Sequence, residues 1–237
     1  MKTDTVKVRN TRIEDIQGIL AVARAAYADW GEHHMANARN YEMQLQNFPD
    51  GQFVAVKGDQ VVGYCSCLIV NLTETSPWYA YGEITGWGSF STHDNSGNTL
   101  YGADIAVDPA YHQQGIAGKL YKARKALMRR HNLKQMMAGG RIPGYGACRG
   151  KLTAQQYVDK VIAGELTDPA LNAHLSAGYR VEGVHFGYIE DAQSLGYATH
   201  LVMDNPNHRS KRKTISSQQI TRSSRKARVC AIQYEMR

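Results

Sequence analysis

The run Ile105-Ala106-Val107-Asp108-Pro109-Ala110-Tyr111-His112-Gln113-Gln114-Gly115-Ile116-Ala117-Gly118-Lys119-Leu120 limits what this chain can fold into more than any other stretch of it. An apolar strand feeds a proline-marked turn, and glycines open a helix. Ile116, Leu120, Ala123 and Leu127 then keep one apolar face, as in a helix packed on a sheet. Gly115, Ala117 and Gly118 leave the first helical turn nearly bare of side chain. Its free N–H groups, backed by the helix dipole, can approach an anion closely. Such a strand–turn–helix fits a pyrophosphate cradle, and it also fits a tight connection in which small residues serve packing. Neither the Rossmann nor the Walker glycine spacing matches it.

The rest of the chain sets an α/β context. Val6–Arg9 reads as a strand, followed by a capping box at Thr11-Arg12-Ile13-Glu14 and a helix carrying Ile13, Ile16, Leu20, Ala23 and Tyr27 on one face. A second helix is expected from about Met35 to Phe48, then a hairpin of Phe53–Lys57 and Gln60–Asn71 around Gly58-Asp59. The aromatic, glycine-rich stretch Trp78–Ser91 is expected to supply another strand before Leu100–Val107. Beyond the helix from Gln114 to about His131, Gln135–Ala138 reads as a short strand and Gly139–Gly150 as an irregular loop. Thr153 caps one late helix and Asp168-Pro169 opens another, which stops at Gly178. Strands near Tyr179–Phe186 and Ala198–Met203 close the domain. The order β-α-α-β-β-β-β-α-β-α-α-β-β predicts a mixed, mostly antiparallel sheet with helices.

At 237 residues the chain can bury one good core with a tail, and not two large domains. No apolar stretch approaches a membrane span, and Met1-Lys2-Thr3-Asp4 lacks the apolar region of a signal peptide, so a cytoplasmic, non-membrane protein is expected. The four cysteines fit that compartment: Cys65 and Cys67 face one side of a strand, and none stands at metal-ligand spacing, so no metal is expected. The formal net charge of +7 invites a nucleic-acid reading. Residues 205–228, however, hold eight basic and no acidic residues, which leaves about −1 for the remainder. Basicity is therefore a property of the tail, read as a flexible linker over 205–227, and nucleic-acid binding by the folded part is not expected.

Val107-x-Pro109 and Gly115-x-Ala117 resemble the acyl-CoA-binding motif of the GNAT N-acetyltransferases, with His112 standing where that family prefers Gln or Arg. Leu100-Tyr101-Gly102-Ala103-Asp104 and Ala138-Gly139-Gly140-Arg141-Ile142-Pro143-Gly144-Tyr145 resemble a subfamily fused to a carbon-nitrogen hydrolase (nitrilase-like) domain. Residues 228–237 resemble the first strand of such a hydrolase, and the likeness to the acetyltransferase part covers about 5–204. The hydrolase's own Glu-Lys-Cys machinery lies downstream of that first strand, so no nitrilase activity is expected of this chain.

The resemblance implies an α/β (α+β) GNAT fold, with helices on both sheet faces and a splayed strand pair that holds acyl-CoA. It also implies acetyl-CoA as donor and a small-molecule or peptide amine as acceptor. Ile105, Ala106 and Val107 would hold the pantetheine arm, and His112, Gln113, Gln114, Gly115, Ile116, Ala117 and Gly118 the pyrophosphate. Lys119 either adds charge near a phosphate or faces solvent. His174 falls where many members carry a tyrosine that protonates the thiolate; imidazole serves as acid or base near neutral pH. Asn172, in the same helix, either meets the cofactor arm or is a surface residue. Asp104 and Glu83 are candidate general bases, each also readable as a structural carboxylate. Arg141 and Tyr145 would line the acceptor pocket, Arg141 by binding a substrate carboxylate or by bracing the loop.

The leading expectation is an N-acetyltransferase. The alternative is a non-catalytic acyl-CoA-binding module that regulates a fused amidase. The terminal stub is expected either to be disordered or to be borrowed as an edge strand in self-association, as in a homodimer.

Overall fold

The computed structural model describes residues 5–28, 30, 36–73, 76 and 78–210. The hydrolase-like stub, Cys230 and most of the basic linker lie outside them. Seven strands form one sheet: β1 (Lys7–Asn10), β2 (Gln52–Lys57), β3 (Gln60–Val70), β4 (Thr99–Val107), β5 (Gln135–Arg141), β6 (Arg180–Phe186) and β7 (Tyr197–Asp204). Their order is β1-β2-β3-β4-β5-β7-β6, antiparallel throughout except for the parallel pair β4–β5. The helices are α1 (Ile16–Ala26), α2 (Ala38–Asn47), α3 (Tyr81–Thr85), α4 (Ile116–Arg130), α5 (Ala154–Ile162) and α6 (Pro169–Ser176).

Two apolar layers sandwich the sheet. Ile16, Ile19 and Val22 of α1 pack with Tyr41 of α2 on Val54, Tyr64 and Ala106. On the opposite face Ile116, Leu120 and Leu127 of α4 join Val158, Val161 and Leu171 of α5 and α6 in the larger core. An aromatic cluster of Phe90, Tyr101 and Tyr188 closes a third side.

Two irregularities in β4 position the site. Across β3, Ser66 pairs with Asp104 and Cys67 with Gly102, so Ala103 is an extra residue, a β-bulge that reverses which face the following side chains take. Across β5, only Thr99, Leu100 and Tyr101 are paired. From Gly102 onward the two strands part, and the edge of β4 toward β5 is left open.

Several elements differ from expectation. No strand forms over 78–91; Gly86, Trp87, Gly88 and Phe90 all have positive φ, which breaks any extended run, and α3 takes its place. At the first helix Asp15, not Glu14, supplies the cap, accepting from Arg12 N at 2.7 Å and from the Arg9 guanidinium. β5 runs on through Gly139 and Gly140 to Arg141, because both glycines lie under side chains: a Cβ on Gly139 would overlap the Tyr188 ring, and one on Gly140 would overlap Leu201 and Thr199. The start of the expected linker is tied down. Asn205 Nδ2 donates to Leu133 O at 2.7 Å, and Arg209 N donates to Asn132 Oδ1 at 2.8 Å.

Candidate active site

Where β4 and β5 part, a cavity of about 670 Å³ opens in the sheet and reaches Arg124 of α4 and His174 of α6, while residues 106–119 do not line it. Its walls come from both sides of the split, from the ends of α1 and α2, from α3, and from the segment around Tyr188. Of the residues singled out in the sequence, it brings together Glu83, Asp104, Ile105, Arg141 and His174.

Asp104 is the first side chain after the bulge and faces the α1 and α2 layer. Tyr27 Oη donates to its Oδ1 at 2.6 Å and Tyr64 Oη to its Oδ2 at 2.5 Å. Tyr41 Oη donates to Tyr64 Oη at 3.3 Å, extending the chain of hydroxyls. Burial, and then the neighbouring carboxylate, push Tyr27 and Tyr64 far above the usual phenol range, so both stay protonated as donors. No salt bridge among the described residues neutralises Asp104. The mouth on this side is aromatic and acidic, with Trp30, Tyr81, Trp87, Glu83 and Glu190. Glu83 is the third residue of α3, and its Oε2 accepts from Ala80 N at 3.1 Å, so its carboxylate caps that helix.

His174 lies at the inner end of the cavity. Its Nδ1 is 2.9 Å from Tyr121 Oη. Burial, reinforced by the Arg124 charge, lowers its pKa to about 4. At neutral pH it is therefore a neutral imidazole with little proton to give. This revises the expectation of an acid or base working near its ordinary value, because that expectation assumed a solvated ring. Asn172 turns its amide inward on its own helix, where Oδ1 accepts from Asp168 N at 2.7 Å.

Arg141 lines the cavity, but its guanidinium is occupied. Nε and Nη2 donate to Asp191 at 2.7 and 2.9 Å, and the group stacks over Trp30 at 4.3 Å. Burial alone would raise Asp191; the hydrogen bonds from Arg141 and Ser194 outweigh it and hold the carboxyl below its usual value. Arg141 thus braces the Asp191 loop, and its fork is not open to a substrate carboxylate. Tyr145 does not reach the cavity. It sits on the Pro143–Cys148 turn, donates to Leu152 O at 3.3 Å and packs on Tyr157 and Tyr197 in the core.

On the opposite side of the sheet lies the strand–turn–helix. Gln113 and Gly115 have φ of +61° and +72°, so two left-handed residues lead directly into α4. Ile116 is buried while Gln113, Gln114, Gly115 and Gly118 are exposed, and a Cβ on either glycine would meet nothing within 4 Å. Ala117 is half-buried. Turn and strand are joined by His112 Nε2, 3.1 Å from Val107 O. Lys119 Nζ donates to Val6 O at 2.8 Å, so its ammonium is tethered to the chain start.

Two features escaped sequence reasoning. The tyrosines around Asp104 come from separate elements, and no local pattern links them. Arg124 carried a signal that was not read: it follows Ile116 and Leu120 at four-residue steps, placing a charge on the buried face of α4, and it is 1% exposed. Among the described residues no group of three or more side chains is placed to hold a metal ion, and no helix is long and apolar enough to cross a membrane.

The family model for the acetyltransferase (GNAT) family matches residues 17–149. Two proteins of Bacillus subtilis (strain 168) are similar. The probable hydrolase YhcX is 31% identical over 97% of this chain, which spans 44% of that relative's length. The uncharacterized N-acetyltransferase YkwB is 30% identical over 83% of this chain and 87% of its own. Among solved structures, the GNAT-like decarboxylase GphF in complex with isobutyryl-CoA superposes with a TM-score of 0.71 at 22% identity, covering 84% of this chain and 99% of that one. The sheet with its parted strand pair is the GNAT fold, and the chain belongs to the acetyltransferase (GNAT) family.

Proposed function

We propose that the chain is an acyl-CoA-dependent N-acyltransferase, in which acetyl-CoA and a primary amine, small molecule or peptide, meet in one ternary complex. The observation that carries this reading is the cavity at the β4–β5 split. In this reading the split, with Ile105 and Arg124 on the cavity wall, would let a donor on the α4 side meet an acceptor on the other. The isobutyryl-CoA bound to GphF and the activity in YkwB's name agree with it.

The residues fit a CoA thioester. The N–H groups of Gly115 through Gly118, unpaired by helix geometry and clear of side chain, would hold the pyrophosphate. The open edge of β4 at Ile105, Ala106 and Val107 would take the pantetheine amides. The thioester supplies an activated acyl carbon. Asp104 attracts and orients the ammonium of the acceptor and takes up one proton; the free amine bonds to the acyl carbon, the C–S bond breaks, and the second amine proton ends on the departing thiolate, while Tyr27 and Tyr64 keep the carboxylate in place. His174 stays a neutral imidazole, with Nδ1 2.9 Å from Tyr121 Oη, on the cavity wall. The aromatic mouth excludes water from the bound amine.

Incubation with acetyl-CoA and a panel of primary amines tests this. Free thiol should appear above the amine-free blank for at least one amine. No release with any amine, from protein shown to bind acetyl-CoA, contradicts it.

A further inference from the structure

The mouth of the cavity holds a large aromatic ring in water on a strained stretch of main chain. Trp87 is 82% exposed, and its φ of +57° is a conformation that bulky residues rarely take. Its backbone is fixed from two directions. Trp87 N donates to Gly82 O at 2.6 Å, across the end of α3. From α2, Asn40 Nδ2 donates to Trp87 O at 3.2 Å, and the buried Gln44 donates to Gly88 O at 2.9 Å. The ring lies against Gly82, where a Cβ would come within 2.8 Å of it. A glycine at this position would take the same backbone without strain, so the turn itself does not call for an indole. Strain that the surroundings over-determine clusters where ligands bind.

Charge on the cavity wall points to the kind of ligand. The charged residues among its described lining are Glu83, Asp104, Arg124, Arg141 and Glu190. Both arginines are engaged. Arg141 is held bidentate by Asp191, and Arg124 is buried under the β4 bulge, bonded to Ser66 O, Asp104 O and the thiols of Cys65 and Cys67. No salt bridge among the described residues includes Glu83, Asp104 or Glu190. The wall therefore offers three carboxylates to a cation and no open guanidinium to a carboxylate. Glu83 follows Gly82 directly, and both line the mouth with Trp87. An exposed indole face beside carboxylates suits an ammonium, which is drawn to the ring and to the charges together.

We propose that the acceptor is a small-molecule diamine: Asp104 takes the ammonium that is to be acylated, and Trp87 with Glu83 and Glu190 takes the second one at the mouth. This rests on the N-acyltransferase reading above and narrows only its acceptor. The test is the initial rate of thiol release from acetyl-CoA by the full chain. The probes are straight-chain α,ω-diamines of three to eight carbons, each beside the monoamine and the ω-amino acid of the same carbon number. The best diamine should exceed its monoamine at least about tenfold in kcat/KM, beyond the statistical factor of two for its equal ends, and the ω-amino acid should be the poorest of the three. Trp87→Asn removes the ring and keeps a residue that tolerates positive φ; it should reduce that advantage to about threefold or less through KM, with the monoamine rate within about twofold of wild type. If that variant does not fold, the wild-type series decides alone. Equal rates for diamine and monoamine at every length overturn the proposal, as does an advantage that folded Trp87→Asn keeps in full. Thiol release from monoamines without a diamine preference sinks only the second subsite; no release with any amine sinks the N-acyltransferase reading and the subsite with it.

Discussion

The two sides of the β4–β5 split are built by different means. The α4 side takes its cradle from one continuous run, Gly102 to Lys119, and offers main chain: an unpaired strand edge, two left-handed residues and the start of a helix. The α1 and α2 side offers side chains, among them Tyr27, Tyr41, Tyr64, Trp87 and Glu190, from five separate segments converging around Asp104. A site made of main chain tolerates substitution wherever glycine or a small residue is kept. A site made of side chains is rewritten by single changes. In the proposed reading the main-chain side holds the donor and the side-chain side the acceptor.

Substituting Asp104→Asn should separate the two sides most sharply. Amine turnover should fall about 100-fold, the scale of a lost general base, with acetyl-CoA affinity unchanged by calorimetry. A parallel loss of acetyl-CoA binding would mean that the sides are not independent.

Protonation of the inner end has the next largest effect. His174 has a pKa near 4 in the native chain against 6.5 when solvated, so its contribution to stability is complete above pH 6.5 and is lost as pH falls toward 4. Between pH 7.5 and 4.5 this amounts to about 2 kcal/mol. His131, His185 and His200 are also lowered by burial and act in the same direction, so the quantity to read is the difference between wild type and His174→Gln in urea unfolding at the two pH values. An equal loss in both proteins would show that His174 is not buried neutral beside Arg124.

Glu83→Gln should change least. Its carboxylate is exposed at the mouth and caps a one-turn helix, so KM for a cationic amine should rise less than about threefold, and less again at high salt.

The same contrast explains what could be read beforehand. The strand–turn–helix is contiguous, and its spacing marked a helix from Gln114 to about His131 with small residues at its start, two residues ahead of where α4 begins. Thr153 and Asp168 announced their helices by local capping chemistry, and both side chains do cap. Trp78–Ser91 misled because aromatic content suggests a strand, while its backbone turns through four positive-φ residues and is held at Trp87 O and Gly88 O by Asn40 and Gln44 of α2, contacts that no local pattern encodes. Arg141 and Tyr145 lie close in sequence, yet β5 ends between them, and only Arg141 stays on the cavity. His174 was singled out by the family resemblance, but its neutral state depends on burial and on the Arg124 charge, which elements remote in sequence supply.

The central claim is that main-chain amides at the start of α4 hold an anionic donor, and Gly115 tests it most directly. Asn and Asp both tolerate the left-handed φ of +72° found there and differ essentially in charge. Calorimetric titration with acetyl-CoA should find Gly115→Asn within about fivefold of wild type and Gly115→Asp weakened at least about 100-fold, with both folded. Equal affinity in the two variants would contradict the claim.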